Sequence, residues 1–225
     1  LETNRKRQAI LFDFDGTLVD SLPTWKKVDE IFFERKGLVF EESKIDFSGL
    51  SFSEAAVHTK KVLNLSESTD EIMEEWIEIS ARLYETDVNL KPYVREFVSA
   101  AKHNGFLTAI GTSNNQEIVQ PILRKFGMLE QFDKILTCCE AGKGKPSPDV
   151  YLHLAEQLQV APQACVIFED TLEGVQAGKN AGMYVYAVEE PFNASQRTEI
   201  MQTADCMIEG FGYFKNNFHN LSGIL

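Results

Sequence analysis

Apolar positions follow three patterns along the chain. Ala9 to Phe12 is a short, continuous apolar run that ends on a charge, as expected of a strand buried on both faces of a parallel sheet. From residue 92 onward, short apolar runs alternate with helical spacing. Strands are predicted at Phe106–Gly111, Lys134–Thr137, Ala164–Phe168, Tyr184–Val188 and, last and shortest, Asp205–Ile208. Helices are predicted at Tyr93–His103, Gln116–Phe126 and Glu173–Ala181, closed by Gly105, Gly127 and Gly182, and at Asp149–Leu158. This βαβ alternation predicts an α/β fold, a Rossmann-like parallel sheet with helices on both faces and ligands beyond the carboxyl ends of the strands. Asp20 to Lys91 differs, with helical periodicity and almost no strand signal: Trp25, Val28, Ile31 and Phe32 share one spacing, Ile72, Trp76, Ile79 and Leu83 another. The expected organisation is a helical domain, 20–91, inserted into a core made of 1–19 and 92–225.

Charge sharpens that division. Net charge is −12, and the predicted insert holds 16 acidic and 9 basic residues, leaving 18 and 13 for the remainder. Such a field repels polyanions, so nucleic acid is not an expected partner; Arg5, Lys6 and Arg7 read as a solvated end. No apolar run is long enough to cross a bilayer, and LETNRKRQ contains no segment fit for a secretory signal. A cytoplasmic monomer without membrane contact is expected. Cys138, Cys139, Cys165 and Cys206 show no metal spacing and read as reduced, packed thiols.

The first strand runs straight into Asp13 and Asp15, in the stretch DFDGTLVDS. In extended chain both would face one way, but Gly16 permits a turn that separates them. One could then touch a metal while the other points at substrate. A calcium-binding loop also uses D-x-D-G, but aligning its glycine with Gly16 puts Leu11 and Leu22 at the first and last ligand positions. Three further polar features follow predicted strands. GTSNN offers the Thr112 and Ser113 hydroxyls at a helix start, suited to phosphate oxygens. GKGKPSPDVY places Lys145 before Pro146, where it would either neutralise a phosphoryl group or sit in solvent. VIFEDTLEGVQAGKNAG ends an apolar run in Glu169 and Asp170, a pair suited to helix capping or to a metal.

Together, in this order, these four features resemble the haloacid dehalogenase superfamily of phosphohydrolases, from Gln8 to Ile208. DFDGTLVDS, GKPSPDVY and FEDTLEGVQAGKNAGM are more closely similar to its β-phosphoglucomutase-like branch, whose helical cap of C1 type follows the first motif. The resemblance implies a phosphatase acting on a small phosphorylated metabolite, with Mg²⁺ as cofactor. It assigns Asp13 as nucleophile, Asp15 as general acid and base, and Thr112 and Lys145 as phosphoryl-holding and charge-balancing groups. Metal ligands are expected among Asp13, Asp15, Glu169 and Asp170; substrate contacts are expected at Gly16, Thr17, Ser113, Asn114, Trp25 and Phe52. In the implied reaction Asp13 attacks phosphorus to form an aspartyl-phosphate, and Asp15 protonates the leaving alcohol and then activates water.

Departures from the family pattern separate the functions open to it. Asp15 argues against dehalogenase and phosphonate hydrolysis, which do without that acid. The phosphomutases resemble one another in a cap histidine, near which this chain has Trp25, and in a cap arginine, whereas no arginine occurs here between Arg35 and Arg82. Lys44, Lys60 or Lys61 would replace it only as point charges. A phosphomutase is therefore the alternative reading, and an idle binding module is disfavoured by the intact carboxylates. The segment re-entering the core reads Pro92-Tyr93 where the family usually has Pro-Gly. Phe47 and Trp76 join Trp25 and Phe52 as aromatic residues placed to meet the leaving group or to form the insert's own core.

Overall fold

Alternation within single strands decides how the sheet is buried. In a computed structural model, which describes residues 8–39 and 45–215, β1 (Ala9–Phe12) sends Ile10 and Phe12 into one hydrophobic cluster and Ala9 and Leu11 into another. Arg5, Lys6, Arg7 and Lys44 lie outside the described residues. β1 is flanked by β4 (Leu107–Thr112) and β6 (Cys165–Glu169), and β5 (Lys134–Thr137), β7 (Tyr184–Val188) and β8 (Cys206–Ile208) complete a parallel sheet in the order β5-β4-β1-β6-β7-β8. One face is covered by α4 (Val94–His103) and α5 (Gln116–Lys125), through Phe97 and Ile122; Phe12, Phe97, Phe168 and Phe211 meet there with centroids 5.0–6.1 Å apart. The other is covered by α7 (Asp149–Leu158), α8 (Leu172–Asn180) and α9 (Arg197–Thr203), through Leu154, Val175 and Ile200. Strand order reverses at β1, which puts the crevice above the ends of β4, β1 and β6.

Among the described residues between β1 and α4, three α-helices occur: α1 (Leu22–Arg35), α2 (Phe52–Leu63) and α3 (Thr69–Asp87). Capping boxes start the last two: Ser51 with Glu54, and Ser68 with Glu71, each satisfying two amides that a helix start leaves open. Apolar residues at helical spacing meet inside. Trp76 packs against Phe32 and Phe52 with ring centroids 5.6 Å away in both cases, and Ile72 and Ile79 are buried beside it.

Most predicted elements stand within one or two residues of their expected bounds, and three features depart. The chain leaves and re-enters the sheet through an antiparallel pair, β2 (Val19–Asp20) with β3 (Asn89–Leu90), too short to show a period-two pattern. α6 (Cys138–Ala141), one turn held by the Thr137–Glu140 capping box, and α9 were not predicted. Cys139 is exposed on α6, correcting its expected burial, whereas Cys138 and Cys165 are buried. Tyr93 adopts φ 65°, ψ 5°, a left-handed conformation that glycine takes without steric cost and a tyrosine rarely adopts.

Candidate active site

Asp13 continues β1, its amide bonded to the Phe168 carbonyl (2.9 Å), so its carboxylate leaves the sheet at the crevice. The chain then turns at Gly16, φ +78°, where a side chain would begin 2.3 Å from an Asp170 oxygen. The two aspartates meet different neighbours.

Asp13 is buried in a charged cluster. Lys145 Nζ donates to Asp13 Oδ1 and to Glu169 Oε1, both at 2.5 Å, and to the Gly111 carbonyl at 3.1 Å. Tyr151 also donates to Glu169 Oε1 (2.5 Å), while the Asp170 amide and the Thr171 hydroxyl donate to Oε2. Gly174 makes room for this carboxylate: a Cβ there would stand 2.0 Å from it. Asp170 accepts from Thr17 Oγ1 (2.8 Å) and Asn193 Nδ2 (2.9 Å). Burial pushes the Asp13 carboxyl well above the usual range, offset in part by Lys145. Burial and then Glu169 push Asp170 up to about 7. For Lys145, burial disfavours the ammonium, but Asp13 and Glu169 outweigh it and hold the amine above its ordinary value.

One lysine thus faces three buried carboxylates, and oxygens of Asp13, Glu169 and Asp170 lie within 4.8 Å of one another. Hard oxygen donors with uncompensated negative charge fit a hard divalent cation such as Mg²⁺. The Asp15 carboxylate, expected as a possible ligand, lies outside this group. Ser21 (2.6 Å), Tyr84 (2.5 Å), Trp25 Nε1 (3.3 Å) and Asn114 (2.7 Å) all donate to it. Trp25 and Tyr84 come from α1 and α3, Asn114 from the end of β4, so Asp15 stands where the helical segment meets the sheet.

A cavity of about 220 Å³ is lined by Asp13, Asp15, Thr112, Ser113, Asn114 and Lys145 among others. Gly16 and Thr17, expected to touch substrate, do not line it; they shape the turn and hold Asp170, because the Gly16 turn swings both under the Asp170 side chain. Trp25 and Phe52 line an adjoining cavity of about 300 Å³, together with Asp15, Ser113 and Asn114.

The pattern that defines the haloacid dehalogenase-like hydrolases matches residues 10–188. The chain belongs to that family. A phosphorylated carbohydrates phosphatase of Thermotoga maritima is 28% identical over 188 residues, covering 83% of this chain and 87% of the relative. CbbY from Rhodobacter sphaeroides in complex with phosphate superposes with a TM-score of 0.81 at 25% identity, over 92% of this chain and 96% of CbbY. A putative β-phosphoglucomutase from Thermotoga maritima gives 0.70 at 26% identity, over 93% and 99%.

Within this hydrolase site, Tyr84, Tyr151 and Asn193 escaped sequence reasoning. Tyr84 acts 69 residues from Asp15 and Asn193 23 from Asp170, with no local pattern to mark either. Ser21 did carry a signal, since it closes the DFDGTLVDS stretch, and so did Tyr151, which closes GKGKPSPDVY.

Proposed function

We propose that the chain is a Mg²⁺-dependent phosphatase of small phosphate monoesters, of the sugar phosphate, phosphoglycolate or nucleoside monophosphate kind, acting through an aspartyl-phosphate on Asp13. The observation that carries this reading is the division of the two aspartates: Asp13 shares Lys145 with Glu169, while Asp15 is turned away and held by four donors. Asp13, Glu169 and Asp170 would hold the metal, whose positive charge would lower the repulsion between nucleophile and phosphate. Asp13 attacks phosphorus; Thr112 and Ser113 hold the phosphoryl oxygens, and Lys145 favours the charged form of Asp13 against the effect of burial. Asp15 gives a proton to the leaving oxygen and then takes one from the attacking water. Its donors fix its direction, which helps because a general acid acts only within hydrogen-bond reach. In this reading residues 20–91 form a cap over a core of 1–19 and 92–225, crossing through the β2–β3 pair.

The phosphomutase alternative needs cations for a second phosphate. Among the described residues of the helical segment, Lys27 pairs with Asp87, Arg35 with Glu75 and Glu78, Lys36 with Glu67 and Glu75, and Arg82 with Glu78; none lines either cavity. Hydrolysis is the better-supported outcome. The test is product analysis across phosphate monoesters with Mg²⁺, including β-glucose 1-phosphate primed with its 1,6-bisphosphate. Inorganic phosphate should dominate, and Asp13→Asn should abolish it while the variant stays folded. Glucose 6-phosphate forming faster than inorganic phosphate would promote the mutase; wild-type turnover by Asp13→Asn would remove the nucleophile assignment.

A further inference from the structure

The cavity beside the phosphoryl pocket has a largely aromatic wall. It encloses about 300 Å³, and its apolar lining comes chiefly from Leu22, Trp25, Phe47, Leu50, Phe52 and Trp76. The rings form a continuous edge-to-face series, with Trp25 against Phe52 at 6.3 Å, Phe52 against Trp76 at 5.6 Å and Phe47 against Trp76 at 6.3 Å. Charge on the wall is acidic only, from Asp15 and Asp29; among the described residues no Lys, Arg or His lines it. It shares Asp15, Leu22, Phe47, Leu50, Ser113 and Asn114 with the cavity that holds Asp13 and Lys145, so a leaving group bonded at phosphorus points into it.

Each property selects. A second phosphate would be desolvated beside the Asp15 carboxylate, and among the described residues no Lys, Arg or His lines the wall to meet it, which is costly. A polyhydroxylic chain would bury several hydroxyls against rings and leave part of them unpaired, each at the cost of its hydration. A planar, uncharged ring offers edge and face contacts to an aromatic wall and has few groups to satisfy. A volume of about 300 Å³ is at the small end for ligand pockets and suits one ring system.

We propose that this chamber makes the enzyme selective for phosphate monoesters whose alcohol carries a planar, uncharged aromatic or heteroaromatic ring. The inference rests on the phosphatase reading of the same site and adds the substrate class. It runs against the carbohydrate named for the Thermotoga relative, so the two are separable by kinetics. Benzyl phosphate is the direct probe, because benzyl alcohol and a sugar hydroxyl are leaving groups of similar basicity and the ratio of their rates reads ring recognition.

The experiment measures kcat/KM with Mg²⁺ for benzyl phosphate, glucose 6-phosphate and fructose 1,6-bisphosphate, using the full chain. Benzyl phosphate should exceed each of the others by about 10-fold or more, the selectivity range of an apolar pocket. Phe47→Ala should collapse that ratio several-fold. Ala55→Lys, which puts an ammonium into the same wall, should shift preference toward the bisphosphate. Glucose 6-phosphate turned over faster than benzyl phosphate would overturn the ring inference and leave the phosphatase standing. An unchanged ratio in both variants would overturn it too, by showing that the wall does not choose. Hydrolysis of none of the three, nor of any other monoester, would remove the phosphatase reading and this inference with it.

Discussion

Below the cleft, Asp13, Lys145, Glu169 and Asp170 are almost wholly buried and bonded to one another or to Thr17, Tyr151 and Asn193. Above it, Trp25, Phe47, Phe52 and Trp76 meet through ring edges, while helix charges pair outside, as in Lys27–Asp87 and Arg82–Glu78, and Asp29 reaches the cavity wall. The lower region places charge with short hydrogen bonds in a buried setting, where each loss leaves another charge uncompensated. The upper region places shape by apolar packing, where substitutions are tolerated if volume is kept. Chemistry that cannot vary belongs on the first kind of surface and selectivity on the second.

The sharpest way to break this contrast is Lys145→Ala. It strands Asp13 and Glu169 together in the interior without their shared cation, and removing one partner of a buried pair costs about 3–5 kcal/mol. Turnover should be lost as well. Denaturant unfolding gives the first effect and kinetics the second; a stability change under about 1 kcal/mol would mean the cluster is wet. By comparison Lys27→Ala on α1 removes an exposed pair, expected to matter by less than about 1 kcal/mol.

The second test uses pH and metal removal. In the folded, metal-free protein Asp170 titrates at about 7, against an ordinary 3.8, and Asp13 is raised too. Between those pH values native Asp170 holds a proton that the unfolded chain has lost, so its contribution to stability should fall as pH rises from about 4 to about 7, and the raised Asp13 carboxyl acts in the same direction. Mg²⁺ competes with those protons. Chelator-treated protein should therefore gain more in Tm from Mg²⁺ at pH 7.5 than at pH 5, and an equal gain at both would contradict the burial of these carboxylates. On the helical side the dependence runs the other way: Glu67, half-buried and lowered to about 2 chiefly by Lys36, contributes stability that is lost as pH falls.

Sequence patterns conveyed these two regions unequally, for a physical reason. Asp13 and Asp15 follow β1, Thr112 and Glu169 end β4 and β6, Asp170 follows β6 and Lys145 lies in the loop before α7; a parallel sheet gathers such positions at one edge, so their order along the chain carried the family resemblance that assigned them. The helical side has no such edge. Its periodicity marked Trp25 and Trp76 as inward-facing, but which inward residue reaches Asp15 depends on how α1 and α3 cross, and Tyr84 emerged only from that packing. Thr17 illustrates the opposite limit: it stands inside the most legible motif, yet the turn at Gly16 directs it to Asp170 rather than to the cavity.

A smaller effect is expected at the seam between the regions. The Glu54 carboxylate accepts from the Ser51 amide (2.8 Å) within its own helix cap and from the Gly144 amide (3.1 Å) just ahead of Lys145. The Phe52 amide adds a bond to the Ser113 carbonyl (3.0 Å). Glu54→Ala removes the shared acceptor, and bonds to a charged group are worth about 1.5–3 kcal/mol. That should lower kcat/KM by about 10-fold, with Glu54→Gln in between. An unchanged kcat/KM would show that turnover does not draw on this contact.

The smallest effect tests whether the upper region is as loosely specified as its packing suggests. Ser80 on α3 and Thr59 on α2 are fully buried, and among the described residues neither hydroxyl has a hydrogen-bond partner; nor does Trp76 Nε1. Below the cleft each buried charged group has partners, so the orphans mark a difference in kind. A buried hydroxyl that makes no bond forfeits its hydration, so an apolar residue of similar size should do better. Ser80→Ala is the cleaner choice, since it leaves the Trp76 and Tyr84 rings on the same helix in place. The expected gain is about 1 kcal/mol, or about 2–4 °C in Tm for a chain of this size. Thr59→Val should behave alike, and the two gains should add if the sites are independent. Destabilisation by either variant would mean that the hydroxyl is satisfied by ordered solvent, and that the helical side, like the sheet, carries a polar network it cannot lose.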